Sequence, residues 1–173
     1  MADTLQQINT NLPTTSTLLT TTLPLPTLTL DFRICVQLNP LIPVGKGPWG
    51  QRNWISFKSG HWSATWGHGI VLPGGQDSQL VDEDSLSTRV DTRYLLETSD
   101  EVPAFIVVTT QGWRTGPKEV LRKLFDPDMA GSVSPSEYSF RICVSLETGD
   151  ERYKHLNTGM WIGSGARHGS EGE

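Results

Sequence analysis

From Leu28 to Leu38 apolar and polar side chains alternate strictly: Leu28, Leu30, Phe32, Ile34, Val36 and Leu38 fall on one side, Thr29, Asp31, Arg33, Cys35 and Gln37 on the other. A period of two is the mark of a strand with one buried face. Similar stretches recur at Arg52 to Lys58, His61 to Leu72, Ser87 to Thr98, Val102 to Gln111, Tyr138 to Glu147 and His155 to Ser164. The breaks between them are rich in Gly, Pro, Ser and Asp, the residues that reverse a chain. Ser59-Gly60 and Ser99-Asp100-Glu101 are read as hairpin turns, with Gly67 and Gly69 bending the second strand. Asn39 to Pro48 is read as a loop. Helical spacing occurs once, at Pro117 to Phe125, where Val120, Leu121 and Leu124 share a side and Pro117 suits a first turn.

A chain with so many hairpin-linked strands has to bury their apolar faces against a second sheet or against themselves. The expected fold is all-β: an antiparallel, closed or partly closed β-barrel with one short helix or flap, since closure removes exposed edges. A sandwich is the alternative. The barrel is placed at residues 27–166, behind a disordered Thr- and Pro-rich leader at 1–26 and before a frayed tail at 167–173. The pentapeptide FRICV occurs twice, at Phe32–Val36 and Phe140–Val144, and is read either as a sign that these two strands pair or as a chance match.

Composition narrows the partners more than the fold. The 173 residues suffice for one core, and 14 basic against 19 acidic residues give a charge of −5 with no basic run. Nucleic acid and anionic membranes are therefore not expected as partners. No apolar stretch is long enough to span a bilayer as a helix, and the N-terminus lacks the basic and apolar regions of a signal peptide, so a cytoplasmic location is expected. Cys35 and Cys143 match no metal spacing and are expected to be free thiols. No phosphate loop, dinucleotide fingerprint or nucleophile elbow is present, which leaves no cofactor and no metal to expect.

Ordered motifs then point to a family. The strings GPWGQRN at Gly47–Asn53 and GIVLPGGQD at Gly69–Asp77, Arg93-Tyr94 with Glu97, LETG at Leu146–Gly149, Leu156-Asn157 and WIGSG at Trp161–Gly165 resemble the domain-of-unknown-function 3237 family from about Leu25 to Arg167. The resemblance implies a small β-barrel and self-association into a homo-oligomer, and it brings no established common reaction. Some relatives accompany natural-product pathways, which suggests a cyclase or isomerase by analogy alone. The chain departs from the family pattern in its tryptophans between Trp49 and Trp66 and in an insertion around Lys118 to Ser134.

Candidate chemistry follows from residue type and place. Asp77 comes just after a Pro-Gly-Gly turn, where backbone amides could orient a carboxylate; an ordinary turn residue is the plainer reading. His61, Arg93, Tyr94 and Glu97 complete the catalytic candidates, His61 as a proton carrier and Arg93 as a support for an oxyanion. Trp54, Trp62, Trp66, His68, Gln79 and Arg141 are the candidate substrate-binding residues, the indoles by stacking and area. Trp62 and Trp66 serve equally well as core filling. Asp91, Arg93, Leu95 and Glu97 share one strand face, as do Arg141, Cys143, Ser145 and Glu147. Turned inward these would form an ion network with displaced pKa values; turned outward, which their bulky alternates favour, a solvated surface. Two functions are compatible with this pattern. One is a cofactor-independent isomerase, cyclase or lyase moving a proton on a small lipophilic organic molecule; the other is a noncatalytic barrel that binds a small molecule or a sugar.

Overall fold

A computed structural model describes residues 24 and 26–169. The chain divides into two units, 1–30 and 31–173. In the first, residues 24 and 26–30 carry no helix or strand, so the strand expected from Leu28 starts instead at Phe32. The rest of the expected leader, and residues 170–173 of the tail, lie outside the described residues.

The second unit is built from β1 (Phe32–Leu38), β2 (Ile42–Gly47), β3 (Gly50–Ala64), β4 (Gly67–Val71), β5 (Gln76–Val81), β6 (Thr88–Thr98), β7 (Phe105–Thr115), β8 (Ser139–Glu147) and β9 (Trp161–Ser164). Two helices, α1 (Lys118–Phe125) and α2 (Pro127–Ala130), lie between β7 and β8. All ladders are antiparallel. Strand β3 is the spine. Its second half pairs with β1 on one side and β4 on the other, its first half with β2 and β5. Strands β4 and β5 together run between β3 and β6, and β7, β8 and β9 continue the sheet. The result is the expected antiparallel barrel, with extra strands at its margin.

Several local expectations are corrected. Ser59-Gly60 is no turn: β3 runs through it, with a bulge where the register against β1 shifts. A Cβ at Gly60 would run into the carbonyl oxygen of Cys35 and stand 2.9 Å from Val71 Cγ2, so glycine here answers close strand approach rather than reversal. The reversal falls at Thr65-Trp66, between β3 and β4. Part of the supposed loop is β2, and Gln76–Val81 is a strand that sequence patterning missed. Only Trp161–Ser164 of the last expected strand is extended, Lys154–Thr158 being 3-10 helix. The two FRICV segments are not partners: β1 pairs with β3, and β8 with β7 and β9. Both cysteines are free, with Cys143 exposed.

Register fixes which face looks in. Phe32, Ile34 and Val36 of β1, Phe57 and Trp62 of β3, Val71 of β4, Leu96 of β6, Ile106 and Val108 of β7 and Val144 and Leu146 of β8 share one apolar core with Tyr153 and Leu156. Helix α1 sits over one end of the barrel. Its Leu121 and Leu124 are fully buried with Val133 and Tyr138, against Leu86 in the β5–β6 turn and Phe140 at the start of β8. Among the described residues no helix is long and apolar enough to cross a membrane.

The first and last strands share no ladder among the described residues, and side chains join them. The carboxylate of Asp31 accepts hydrogen bonds from Thr65 Oγ1 at 2.6 Å, Trp161 Nε1 at 2.8 Å and Trp66 Nε1 at 3.2 Å. The Phe32 ring lies 6.1 Å from Trp66 and 6.3 Å from Trp161, both edge-on. Burial alone would raise the pKa of Asp31, but the bonds from Thr65, Trp161 and Trp66 together outweigh it and hold the carboxyl below its ordinary value. A depressed carboxylate stabilises the fold above its unfolded pKa, and that contribution is lost as pH falls through the folded value. D31N is therefore expected to lower stability at pH 7 by about 1 kcal/mol, allowing for solvent screening at this partly open site. In denaturation curves the gap from wild type should close below about pH 3; a gap independent of pH would contradict this role.

Candidate functional site

Barrel interiors of this size are filled by side chains or hold one small ligand, and here the lining changes character along the axis. Toward the end under α1 the inner wall is polar. Register places Ile55, Asp77, Thr92, Thr110 and Val144 in one row across β3, β5, β6, β7 and β8. Asn53 faces Gln79 in the next row, and Thr88 faces Arg114 at the rim. Asn53, Asp77, Gln79, Thr88, Thr110 and Arg114 are all buried. So dense a polar cluster in a barrel of ordinary stability calls for an explanation, because each buried polar group costs free energy unless it is paired.

The LPGGQD string explains how Asp77 comes to be there. Gly74 has φ +98°, a left-handed turn conformation, and a Cβ at Gly75 would collide with Tyr94 Cβ and stand 3.0 Å from Phe57 Cδ2. The turn thus draws the chain against Tyr94 and starts β5 in the register that points Asp77 inward. Its Oδ2 accepts from Gln79 Nε2 at 2.7 Å and its Oδ1 from the backbone N–H of Asp91 at 3.2 Å. Burial pushes the Asp77 pKa up, and the bonds from Gln79 and Asp91 and the charge of Arg114 only partly oppose it. The carboxamide oxygen of Gln79 is buried without a hydrogen-bond partner among the described residues. A flip of that amide exchanges a donor for an acceptor toward Asp77, so the same pair can hold the ionised or the protonated carboxyl.

Arg114 is 2% exposed. Its Nη2 donates to Thr88 Oγ1 at 3.3 Å, its guanidinium carbon stands 4.9 Å over the Phe125 ring of α1, and its Nε is buried without a partner among the described residues. Burial lowers its pKa to about 10, assisted by the nearby charge of Arg167, so it is still a cation at neutral pH. Thr92 and Thr110 hydroxyls meet at 2.6 Å on the same wall. Tyr94 lies one row toward the apolar half, its ring 5.1 Å from Phe57, and burial drives its phenol pKa upward.

Of the residues singled out from sequence, Asp77, Gln79 and Tyr94 come together on the inner wall. His61 and His68 belong to separate strands and both are exposed on the outer face, where His61 is opposite Ile70 and His68 opposite Ser63. Arg93 is also outside, with Nε donating to Thr109 Oγ1 at 3.4 Å, as are Glu97, Glu147 and Arg141, whose Nη1 donates to the Phe140 carbonyl. The two charged strand faces therefore look outward. Trp54 is exposed, whereas Trp62 and Trp66 stack at 4.8 Å in the apolar half. Asn53, Thr92, Thr110 and Arg114 had escaped notice. The signal was there: Thr110, Gly112 and Arg114 continue the alternation of Ile106 and Val108 past the point where β7 was expected to end.

A polar inner wall on a small antiparallel barrel defines the class, and the sequence defines the family: the chain matches the family described as protein of unknown function (DUF3237) over residues 26–173 and belongs to it. A UPF0311 protein of Rhodopseudomonas palustris is 32% identical over 137 residues, 79% of this chain and 86% of the relative. The crystal structure of a conserved protein of unknown function from that organism superposes with a TM-score of 0.72 at 31% identity, covering 84% of this chain and 92% of that one. A structure from Acinetobacter baumannii, described as a beta-barrel like protein, gives 0.61 at 28% identity, covering 83% and 93%. A structure described as an enzyme from Penicillium herquei gives 0.53 at 18% identity, covering 81% and 88%, a likeness of fold.

The raised pKa of Asp77 sets a sign for stability. The folded state disfavours the ionised carboxyl, so stability falls as pH rises from the unfolded pKa through the folded one. D77N removes that cost, with the Gln79 amide free to flip. Thermal melts at pH 7 are expected to show the variant more stable by about 0.5–2 kcal/mol, with the gap closing below about pH 4. A less stable variant would make Asp77 a structural residue.

Proposed function

We propose that the protein is an enzyme of the isomerase, cyclase or lyase type, moving a proton on a small lipophilic organic molecule held in the polar half of the barrel. The observation that supports this reading is the buried Asp77–Gln79 pair, whose pKa is raised toward the range useful to a general base and whose amide can serve either protonation state. In the step proposed, ionised Asp77 takes a proton from a carbon next to a carbonyl or from a phenolic oxygen. The electron pair left behind becomes an enolate or phenolate, and Asp77 returns the proton at another atom; in the cyclising case the anion adds to a C=C or C=O bond of the same molecule, whose π bond breaks, and the new anion takes the proton back from Asp77. No electrons are gained or lost overall. Thr92 and Thr110 offer hydroxyls that can hydrogen-bond the reacting oxygen, and Tyr94 borders the site. An enzyme of the same fold is known from Penicillium herquei, which makes catalysis on such a barrel reasonable by analogy.

Deuterium uptake provides the test, because it needs only proton transfer to a competent carbon. Phenylacetone and phenylpyruvate are incubated with the protein in D2O and followed by proton NMR. Wild-type protein is expected to accelerate exchange of at least one probe beside its carbonyl, and D77N to reduce that rate by about 100-fold or more. Equal rates for wild type and D77N would overturn the reading. Saturable binding with no exchange would favour a binding barrel instead.

A further inference from the structure

Arg114 has no role in the proton transfer just described, yet among the described residues its charge is buried without a salt bridge. A guanidinium carries five N–H donors, and this one, almost wholly buried, spends one on Thr88 Oγ1 and leaves Nε without an acceptor. Among the described residues no carboxylate lies within ion-pair distance of it. Arg167 brings a second guanidinium into the same neighbourhood. Its backbone N–H donates to Tyr138 Oη at 2.9 Å, and Tyr138 packs with Leu121, Leu124 and Phe140, the last directly opposite Arg114 in the β7–β8 ladder. Two guanidinium groups, Arg114 and Arg167, thus share this end of the barrel, and among the described residues neither makes a salt bridge. An unpaired buried charge is among the costliest arrangements in a protein. The planar fork of arginine matches a carboxylate in two parallel hydrogen bonds, and the Phe125 ring on its face keeps water off one side.

We propose that Arg114, supported by Arg167, is the receptor for the carboxylate of an acidic small molecule bound at the polar end of the barrel. The proposal builds on the reading of that end as a substrate site and adds the substrate's class: an organic acid whose reacting carbon or oxygen then faces Asp77. Arg114 binds, and Arg167 positions it and adds field.

Binding is measured in the D77N background, so that the outcome does not depend on proton transfer. Isothermal titration compares phenylacetate with its neutral isostere phenylacetamide. Phenylacetate is expected to bind at least 10-fold more tightly. R114M should remove the difference, R114K should keep part of it, since the charge survives without the fork, and R167Q should weaken phenylacetate binding several-fold with little effect on the amide. R114M should also melt no lower than its parent, since it removes an unpaired cation, and phenylacetate should no longer raise its Tm. Equal binding of acid and amide, or discrimination that persists in R114M, would overturn the proposal. If the acid preference holds while wild-type protein shows no exchange, the anion receptor stands and the catalytic reading falls. If exchange occurs without acid preference, the reverse holds.

Discussion

The carboxylate of Asp31 makes a junction that no backbone ladder makes among the described residues: it ties the first residue of β9 to the start of β1 and to the turn after β3. Sheets of this kind close only if their first and last strands meet, and here the bond from Trp161 makes that meeting, on a carboxylate that Thr65 and Trp66 hold in place. Inside and outside follow from it. Once the sheet is rolled, the period of two along each strand decides which residues face the interior, and a shift of one residue would exchange every pair of faces. The bulge in β3 and the Gly74-Gly75 turn set that register along the two halves of the spine.

Closure also explains why the interior can be polar at one end. The apolar half, with Phe57, Trp62, Val71, Leu96, Ile106 and Val108 among its residues, supplies the burial that stabilises the domain, and tilted aromatic pairs such as Trp62–Trp66 add about 0.5–1.5 kcal/mol. The other half can then carry groups that cost stability: a carboxyl with a raised pKa and, among the described residues, a carboxamide oxygen without a donor and a guanidinium without a counter-ion. Helix α1 covers this end and places Phe125 against Arg114. Locally costly polar groups beneath a covering helix are what the proposed site rests on.

Much of the fold was legible in the chain because alternation is a strong signal where one strand face is buried and the other wet. β6, β8 and α1 were found nearly to the residue. The failures share a cause. At Gly60 the chain has the residue of a turn but uses it for close packing, and at β2 and β5 polar and Gly- or Pro-containing segments join the sheet for the sake of its edges and ladders, with little apolar pattern to show it. Site residues were legible where a turn motif pointed at them, as with Asp77. Asn53, Thr92, Thr110 and Arg114 were not singled out, since alternation cannot distinguish a polar group turned outward from one enclosed by closure of the barrel.

The account rests on Asp77 and Arg114 sharing one poorly hydrated interior. Carbon-13 NMR titration of the Asp77 carboxyl in wild-type protein and in R114M tests this directly. The prediction is a pKa above the ordinary aspartate range in wild type, displaced further upward when the positive charge of Arg114 is removed. A carboxyl that titrates in the ordinary range, or one indifferent to Arg114, would contradict it.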